Sequence, residues 1–298
     1  MMDTSKTKTY AYYPGCSAHG TASDYDQAVR AVFDKLGLKL EDMKDWVCCG
    51  ATPVHAMNPD LAYALSAKNL EIAEKMEKDV AVACAACFNR MKTTVKHLGH
   101  DEELRKKINK IASTEIKANI EVYHILSILS KIPSEELEKA MTKKLTGLKV
   151  GCYYGCLLVR PPKVTEFDDP ENPTVMEKIL EHTGAEMVDW NFKTECCGAS
   201  LSVPKTGIVI KLCHDILDDA KKRGIDVLSV ACPLCQMNLD MRQWEVEAKY
   251  KTRYRIPIMY FAQVLGIAMD IPAYQLGLAK MIVSPLDILR EKKILMHF

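Results

Sequence analysis

Ten of the chain's twelve cysteines form two copies of one five-cysteine pattern. Each copy has a lone cysteine, then an adjacent pair followed by glycine, then a Cys-x-x-Cys motif. The first copy comprises Cys16, Cys48, Cys49, Cys84 and Cys87, and the second comprises Cys156, Cys196, Cys197, Cys232 and Cys235. Thirty-four residues separate the adjacent pair from the last motif in both copies. Core packing does not require thiols at repeated spacings, so the pattern indicates a ligand shell that is built twice.

The composition argues against a nucleic-acid-binding, membrane-spanning or secreted protein. A chain of 298 residues that is 48% hydrophobic can bury a sizeable core. Its formal charge of +1 gives no sign of nucleic-acid binding, and its longest apolar runs are too short for a membrane span. The N-terminus lacks the apolar segment of a secretory signal. We therefore expect a cytoplasmic protein whose thiols stay reduced, which favours metal or redox chemistry over structural disulfides.

The two cysteine patterns belong to a longer internal repeat, in which strand-like and helix-like segments alternate. This alternation is typical of α/β units on a parallel sheet. The first copy is predicted to contain strands Thr9–Tyr13, Asp79–Ala83 and Ile120–Tyr123 and helices Asp24–Leu36 and Asp60–Lys78. The second is predicted to contain strands Leu148–Tyr154, Asp226–Ala231 and Ile256–Met259 and helices Pro173–His182 and Gly207–Arg223. His124 and Tyr260 begin equivalent helices and are interpreted as structural.

We predict an α/β protein of two similar Rossmann-like halves related by internal duplication, each with a small, mostly parallel sheet flanked by helices. The predicted domains are residues 1–146 and residues 147–298, the second with a C-terminal extension. That extension, Ala273–Phe298, has no counterpart in the first half and is expected to cover the second half or contact a partner protein. Sites in such sheets gather at the carboxyl ends of strands, where the sequence places Cys16, Cys84, Cys156 and Cys232.

Five cysteines per copy fit a broad cofactor better than a single ion. Zinc takes four ligands in a tetrahedron, whereas adjacent cysteines such as Cys48 and Cys49 project apart unless a residue like Gly50 allows a sharp turn. An iron–sulfur cluster is wide enough to accept both thiolates. Zinc binding and dithiol redox chemistry remain as alternatives. Cys152 and Cys213 align with tyrosine and leucine in the first copy, so we predict that both are buried packing residues.

At these residues the chain resembles the cysteine-rich CCG-domain family, whose pattern is Cys-x₃₁–₃₉-Cys-Cys-Gly followed by Cys-x-x-Cys, present twice. Along its whole length it is similar to the B subunits of methanogen heterodisulfide reductases. The resemblance implies a non-cubane [4Fe-4S] cluster on each of the two cysteine sets. It implies an oxidoreductase subunit of methanogenesis that reduces the mixed disulfide of coenzymes M and B to the two thiols. Implied partners are a ferredoxin-like C subunit, a flavin-containing A subunit, and an associated hydrogenase or formate dehydrogenase.

Two other functions remain open. The same CCG pair occurs in iron–sulfur subunits that resemble thiol:fumarate reductase and the succinate, lactate, glycolate and glycerol-3-phosphate oxidoreductases. A structural zinc-binding assembly protein is an alternative of a different class. The colour and iron content of the protein would separate that alternative from the others.

A substrate with a sulfonate at one end and a phosphate at the other calls for cationic contacts. Loops that follow the cysteines carry five candidates, which are His19, His55, Arg160, Lys163 and Lys205. Arg160 is the strongest of them, because it lies four residues after Cys156 and prolines stiffen its loop. A solvated surface charge is the alternative interpretation for each residue.

Overall fold

Two four-stranded sheets, both wholly parallel, form the centre of the protein in a computed structural model that describes residues 9–51 and 54–295. The strand order is β2-β1-β3-β4 in the first sheet and β6-β5-β7-β8 in the second. Helices flank each sheet, and the two halves repeat one topology. The predicted α/β class and internal duplication are therefore confirmed. The sheets were predicted to be mostly parallel, and both are entirely parallel.

The first half contains eight helices among the residues described. Its strands are β1 (Thr9–Tyr13), β2 (Lys39–Asp42), β3 (Val80–Val82) and β4 (Val122–His124). Its helices are α1 (Gly15–His19), α2 (Ser23–Lys35), α3 (Val54–Met57), α4 (Pro59–Lys75), α5 (Ala85–His100), α6 (Glu102–Ala112), α7 (Ile125–Leu129) and α8 (Ser134–Ala140). Helix α4 begins where the Asn58 side chain accepts the Leu61 N–H at 3.1 Å and Pro59 occupies the first turn.

The second half repeats this order with shorter helices around its first strands. Its strands are β5 (Lys149–Tyr153), β6 (Glu186–Met187), β7 (Val227–Val230) and β8 (Ile258–Tyr260). Its helices are α9 (Pro162–Thr165), α10 (Val175–Glu181), α11 (Thr206–Lys222), α12 (Pro233–Met241), α13 (Gln243–Tyr250), α14 (Phe261–Ala268) and α15 (Leu286–Glu291). The inner strands β3 and β7 are buried along their whole length, as expected for strands with parallel neighbours on both sides.

The halves pack through equivalent helices. Helix α14 of the second half lies against α2 of the first, and α7 of the first lies against α10 of the second. At the first of these contacts the rings of Tyr25 and Tyr260 stack, with centroids 4.0 Å apart and planes within 5°. Buried side chains of both halves form one continuous hydrophobic core. The two cysteine patterns are thus held in one packed unit.

The C-terminal extension crosses back to the first half. The Gln27 side chain on α2 donates to the Tyr274 carbonyl at 3.0 Å, and the Lys280 ammonium donates to the Ser23 hydroxyl at 2.9 Å. Leu276 and Leu289 are fully buried. The extension also covers the second half, as predicted, since the Ile282 and Val283 amides donate to Asp240 at 2.9 Å. It therefore joins the two halves, a role that the sequence did not indicate. Its last residues, Met296–Phe298, lie outside the described residues.

Within the two described ranges, every helix is too short or too polar to cross a membrane.

Candidate metal centre

Three structural elements of each half bring its cysteines together. In the first half, Cys16 lies on α1 just after β1, and Cys48 and Cys49 lie in the loop after β2. Cys84 is the N-cap of α5, and Cys87 lies in the first turn of that helix. The second half repeats the arrangement with Cys156 after β5, Cys196 and Cys197 before the turn Ala199–Leu201, and Cys232 and Cys235 at the start of α12. All ten thiols therefore lie at the carboxyl ends of the sheets.

Six of these thiols form a continuous buried chain that crosses between the halves. In the first half the Cys49 and Cys87 sulfurs are 3.0 Å apart, and the Cys49 thiol and the neighbouring Cys84 thiol raise the pKa of Cys87. In the second half the corresponding Cys197 and Cys235 sulfurs are 3.5 Å apart, and the Cys197 thiol and the neighbouring Cys232 thiol raise the pKa of Cys235. Cys84 lies close enough to Cys232 for each thiol to shift the pKa of the other, which joins the two sets.

The remaining four motif cysteines lie at the outer ends of this chain. Cys16, Cys48 and Cys196 are exposed, and Cys156 is partly exposed. Hydrogen bonds from Cys48 and Cys87 lower the pKa of Cys49 to about 3. A hydrogen bond from Cys156 lowers the pKa of Cys196 to about 6. These contacts favour the thiolate of Cys49 and of Cys196, the form that binds metal, and they raise the pKa of the partner thiols Cys48 and Cys156.

The loop of each adjacent pair is fixed by the same contacts in both halves. The Tyr13 hydroxyl donates to the Val47 carbonyl at 2.8 Å, and the Tyr153 hydroxyl donates to the Glu195 carbonyl at 2.6 Å. The amide of the glycine after each pair lies near the sulfur of its first cysteine, at 3.5 Å for Gly50 and 3.3 Å for Gly198. The left-handed φ of these glycines, +75° and +78°, turns the two thiols toward different neighbours.

Buried amides next to the thiols were not identified from the sequence. The Asn238 side chain donates to the Cys197 carbonyl at 3.0 Å, and the Asn69 side chain binds both backbone polar groups of Val47, at 2.8 and 2.9 Å. Asn89 of the first half donates to the Leu157 and Arg160 carbonyls, in the loop after Cys156 of the second half. None of these residues is repeated between the copies, so the internal alignment gave no signal for them.

A cavity of about 300 Å³ opens on the second cysteine set. All five cysteines of that set line it, and the first half contributes Ala51, Ala85 and Ala86. Its other walls are mostly apolar and include Leu157, Val203, Pro204 and Leu234. The cavity thus lies where the two halves meet, beside the thiol chain.

The five basic residues proposed as substrate contacts do not line this cavity. The Arg160 guanidinium donates to the Thr194 side chain and carbonyl at 3.1 and 3.2 Å and pairs with Glu171 at 3.0 Å. Lys163, His55, His19 and Lys205 are exposed, and the His19 ring lies 5.3 Å from that of Trp46. Lys205 directly follows the lining residue Pro204. A role in substrate binding stays a prediction for all five.

The two remaining cysteines are buried, as predicted, but one alignment was wrong. Cys152 and Cys213 are both fully buried. Helices α4 and α11 each have seventeen residues, and matching their ends pairs Cys213 with Ser66 rather than with Leu65. The loop before the helix is one residue shorter in the second half, which shifts the register. Ser66 and Cys213 also make the same contact, with the carbonyls of Cys49 and Cys197 at 2.9 and 3.8 Å.

The ten motif thiols supply a donor set suited to an iron–sulfur cofactor. In the described ranges, no three His, Cys, Asp or Glu side chains surround a common point as a single metal ion would require. The buried thiols lie at the junction of the two halves, beside a cavity that the second cysteine set lines. Thiolate is the protein ligand of iron–sulfur clusters, so the donor set has the appropriate chemistry.

Comparison with known proteins finds relatives along most of the chain. The family model "Cysteine-rich domain" (CCG) matches residues 10–92 and 150–240. The 8-methylmenaquinol:fumarate reductase membrane anchor subunit of Wolinella succinogenes is 31% identical over 274 residues, which cover 91% of this chain and 95% of that protein. The B subunit of the ferredoxin:CoB-CoM heterodisulfide reductase of Methanosarcina mazei is 30% identical over 285 residues, which cover 93% and 94%.

A solved structure shares the fold alone. A hypothetical protein from Helicobacter pylori superposes with a TM-score of 0.73 at 13% sequence identity. The match covers 94% of this chain and 52% of that one.

Proposed function

Because the chain belongs to the cysteine-rich CCG-domain family, together with subunits of heterodisulfide reductases, we propose that it is the iron–sulfur subunit that reduces a disulfide. The proposed substrate is the mixed disulfide of coenzymes M and B. The single observation that carries the proposal is the buried thiol chain that joins both cysteine sets beside one cavity.

Two non-cubane [4Fe-4S] clusters, one on each set of five cysteines, would supply electrons one at a time. Reduction of a disulfide consumes two electrons and two protons and yields two thiols, so a pair of one-electron centres matches the stoichiometry. The chain's own contribution is to hold both ligand sets at one junction and to exclude water with apolar walls such as Leu157 and Val203. Binding the substrate sulfurs at such a junction makes their reduction an intramolecular step.

Matched cysteine substitutions test the ligand assignment. Cys87→Ser removes a proposed ligand, whereas Cys213→Ser converts a buried thiol to the residue that the other half carries at that place. In anaerobically purified protein, Cys87→Ser should lose about half of the iron and acid-labile sulfide, since one of two clusters would lack a ligand. Cys213→Ser should keep both.

Metal analysis and paramagnetic resonance of the reduced protein provide the measurements. A change in the resonance spectrum on addition of the heterodisulfide would support the substrate. Equal iron in Cys87→Ser and Cys213→Ser would contradict the ligand set. A colourless protein that contains zinc would refute the cluster proposal and favour the structural zinc alternative.

A second candidate function is favoured by the relative from Wolinella succinogenes, whose name describes a quinol:fumarate reductase subunit. In that case the clusters would pass electrons between a flavin-containing partner and a quinone. Reoxidation of the reduced protein would separate the two functions. The heterodisulfide should reoxidise the reduced protein under the first function, whereas under the second the heterodisulfide should leave it reduced and a quinol analogue should reduce the oxidised protein.

The relatives are subunits of oxidoreductase complexes, so we also propose that this chain works with partners. A ferredoxin-like C subunit and a flavin-containing A subunit, with a hydrogenase or formate dehydrogenase as electron source, would complete the complex in the cytoplasm. Co-purification of these subunits with the tagged chain from its own cells tests the assembly.

A further inference from the structure

One imidazole connects the two halves directly behind the inner cysteines. The His124 Nε2 atom lies 2.9 Å from the Ala83 carbonyl of its own half and 3.1 Å from the Ala231 carbonyl of the other half. Each carbonyl belongs to the residue that precedes an inner cysteine, Cys84 or Cys232. His124 is completely buried. A single side chain therefore spans the junction where the two thiol sets meet.

The hydrogen bonds of His124 fix its tautomer. The Leu126 amide donates to Nδ1 at 3.2 Å, so Nε2 carries the proton and donates to both carbonyls. Burial lowers the pKa of His124 to about 4, so the ring is neutral at physiological pH. In the folded chain the Nε2–H group therefore donates to both carbonyls at once.

The second half lacks this link among the residues described. Tyr260 occupies the place equivalent to His124, because Val82 pairs with His124 in the first sheet and Val230 pairs with Tyr260 in the second. The Tyr260 ring stacks on Tyr25, and its hydroxyl lies 3.5 Å from the Gln236 side chain. The duplication therefore keeps a ring at this position in both copies, but only the first copy carries a donor for both carbonyls.

We propose that His124 is a positioning residue that holds Cys84 and Cys232 at a fixed separation and thereby sets the distance between the two metal centres. The proposal rests on the proposed function for the centres themselves. The link between carbonyls is a property of the polypeptide, however, and can be measured without metal. Two centres can reduce one disulfide together only if both reach its sulfur atoms, so the distance between the centres affects the reaction.

The first measurement uses metal-free protein. Mild oxidation with an azo oxidant removes two hydrogen atoms from each pair of thiols that forms a disulfide, and peptide mapping then gives the ratio of the Cys84–Cys232 bond to the Cys49–Cys87 bond. The second bond lies within one half and serves as an internal reference. In His124→Phe the ratio should fall about tenfold, because two buried carbonyls lose their donor and the junction loosens.

Two further variants separate positioning from general loss of stability. Tyr260→Phe alters the equivalent place without touching either carbonyl and should leave the ratio unchanged. His124→Gln keeps an N–H donor and should recover part of the ratio. Thermal unfolding of each variant shows whether it is folded.

The second measurement uses the anaerobic, iron-loaded protein. Pulsed paramagnetic resonance should show a weaker or more dispersed spin–spin coupling between the two centres in His124→Phe, at unchanged iron content. An unchanged disulfide ratio and an unchanged coupling in this variant would overturn the proposal. If no sample binds iron but the ratio still falls, the proposed function fails while the positioning role stands.

Discussion

At the scale of single residues, the position of the thiols depends on a glycine before the lone cysteine of each half, because glycine has no Cβ atom. Gly155 precedes Cys156 with φ of +67°, and a Cβ atom there would lie 3.0 Å from the Cys235 sulfur. Gly15 holds the same place in the first half, where the Cβ would lie 3.6 Å from the Cys87 sulfur. Both glycines let the chain pass directly behind a thiol in a conformation that other residues rarely adopt.

Gly155→Ala should therefore reduce metal binding in the second half. A matched control is Gly224→Ala, because Gly224 has the same φ of +67° but nothing within 4 Å of an added Cβ. Backbone strain should cost both variants about 1–2 kcal/mol of unfolding free energy. Only Gly155→Ala should also lose iron, toward half of the wild-type content. Urea titration and iron analysis check this, and equal iron in the two variants would contradict it.

The sequence singles out the ten motif cysteines because the repeat marks them twice, and their role as ligands stays a prediction. The residues that support them were not predictable, because their contacts depend on how the halves pack. His124 has the sequence appearance of a structural histidine at the start of a helix, and only the approach of Ala231 from the other half reveals the bridge. For Arg160, substrate binding stays a prediction, and the sequence did not show that its guanidinium contacts Thr194 and Glu171.

At the scale of elements, α5 connects the cysteines of one half to a loop of the other. Helix α5 begins at the first Cys-x-x-Cys motif, and one turn later Asn89 donates to the Leu157 and Arg160 carbonyls at 3.0 and 2.7 Å. Those carbonyls belong to the loop after Cys156. A single helix therefore carries ligands of the first set and restrains a loop of the second.

Asn89→Leu should disturb the second metal centre from the first half. Loss of a buried donor to two carbonyls should lower the unfolding free energy by about 1–3 kcal/mol. The control is Asn109→Leu, which removes an amide that binds the Ile116 carbonyl at 3.1 Å within the first half. Both variants should lose stability in urea titration, but only Asn89→Leu should alter the resonance signal of the second centre. The same change of signal in both variants would contradict the cross-half restraint.

The central strands and one edge strand of each sheet, β4 and β8, were predictable, and the opposite edge strands β2 and β6 were not. Strands β1, β3, β5 and β7 are mostly buried, and their predicted bounds agree with the structure to within a few residues. Strands β2 and β6 are short and largely exposed, and the polar sequence of β2, Lys-Leu-Glu-Asp, gives no strand pattern. Only pairing with the central strand makes them strands, and pairing is not visible in local sequence.

At the scale of the whole molecule, α14 and the C-terminal extension connect the second half to the first by packing against helix α2. The Gln263 side chain on α14 donates to Asp24 at 3.3 Å and to the Leu276 carbonyl of the extension at 2.9 Å. The sequence showed that the extension is not repeated, but not where it lies, since its apolar residues would suit any buried surface. Asp24 is thus a carboxyl group buried at the contact between the halves, 5% exposed.

This buried carboxyl makes the stability of the two-half unit depend on pH. Burial raises the pKa of Asp24 above its ordinary value, and backbone and side-chain hydrogen bonds offset only part of the rise. A folded-state pKa above the unfolded one means that the folded protein binds the proton more tightly. The contribution of Asp24 to stability is therefore fully present below the ordinary aspartate pKa of about 3.9 and is lost as the pH rises through the folded value.

Asp24→Asn, which keeps the shape and cannot ionise, should remove this loss. At neutral pH the variant should unfold at higher urea concentration than the wild type, and the difference should disappear as the pH falls to the ordinary aspartate range. Asp34→Asn, an exposed position on the same helix α2, should show no such pH-dependent difference. Urea titrations of metal-free protein across this pH range check the sign. A variant less stable than the wild type at neutral pH would mean that the ionised carboxylate, through its bond from Gln263, stabilises the contact between the halves.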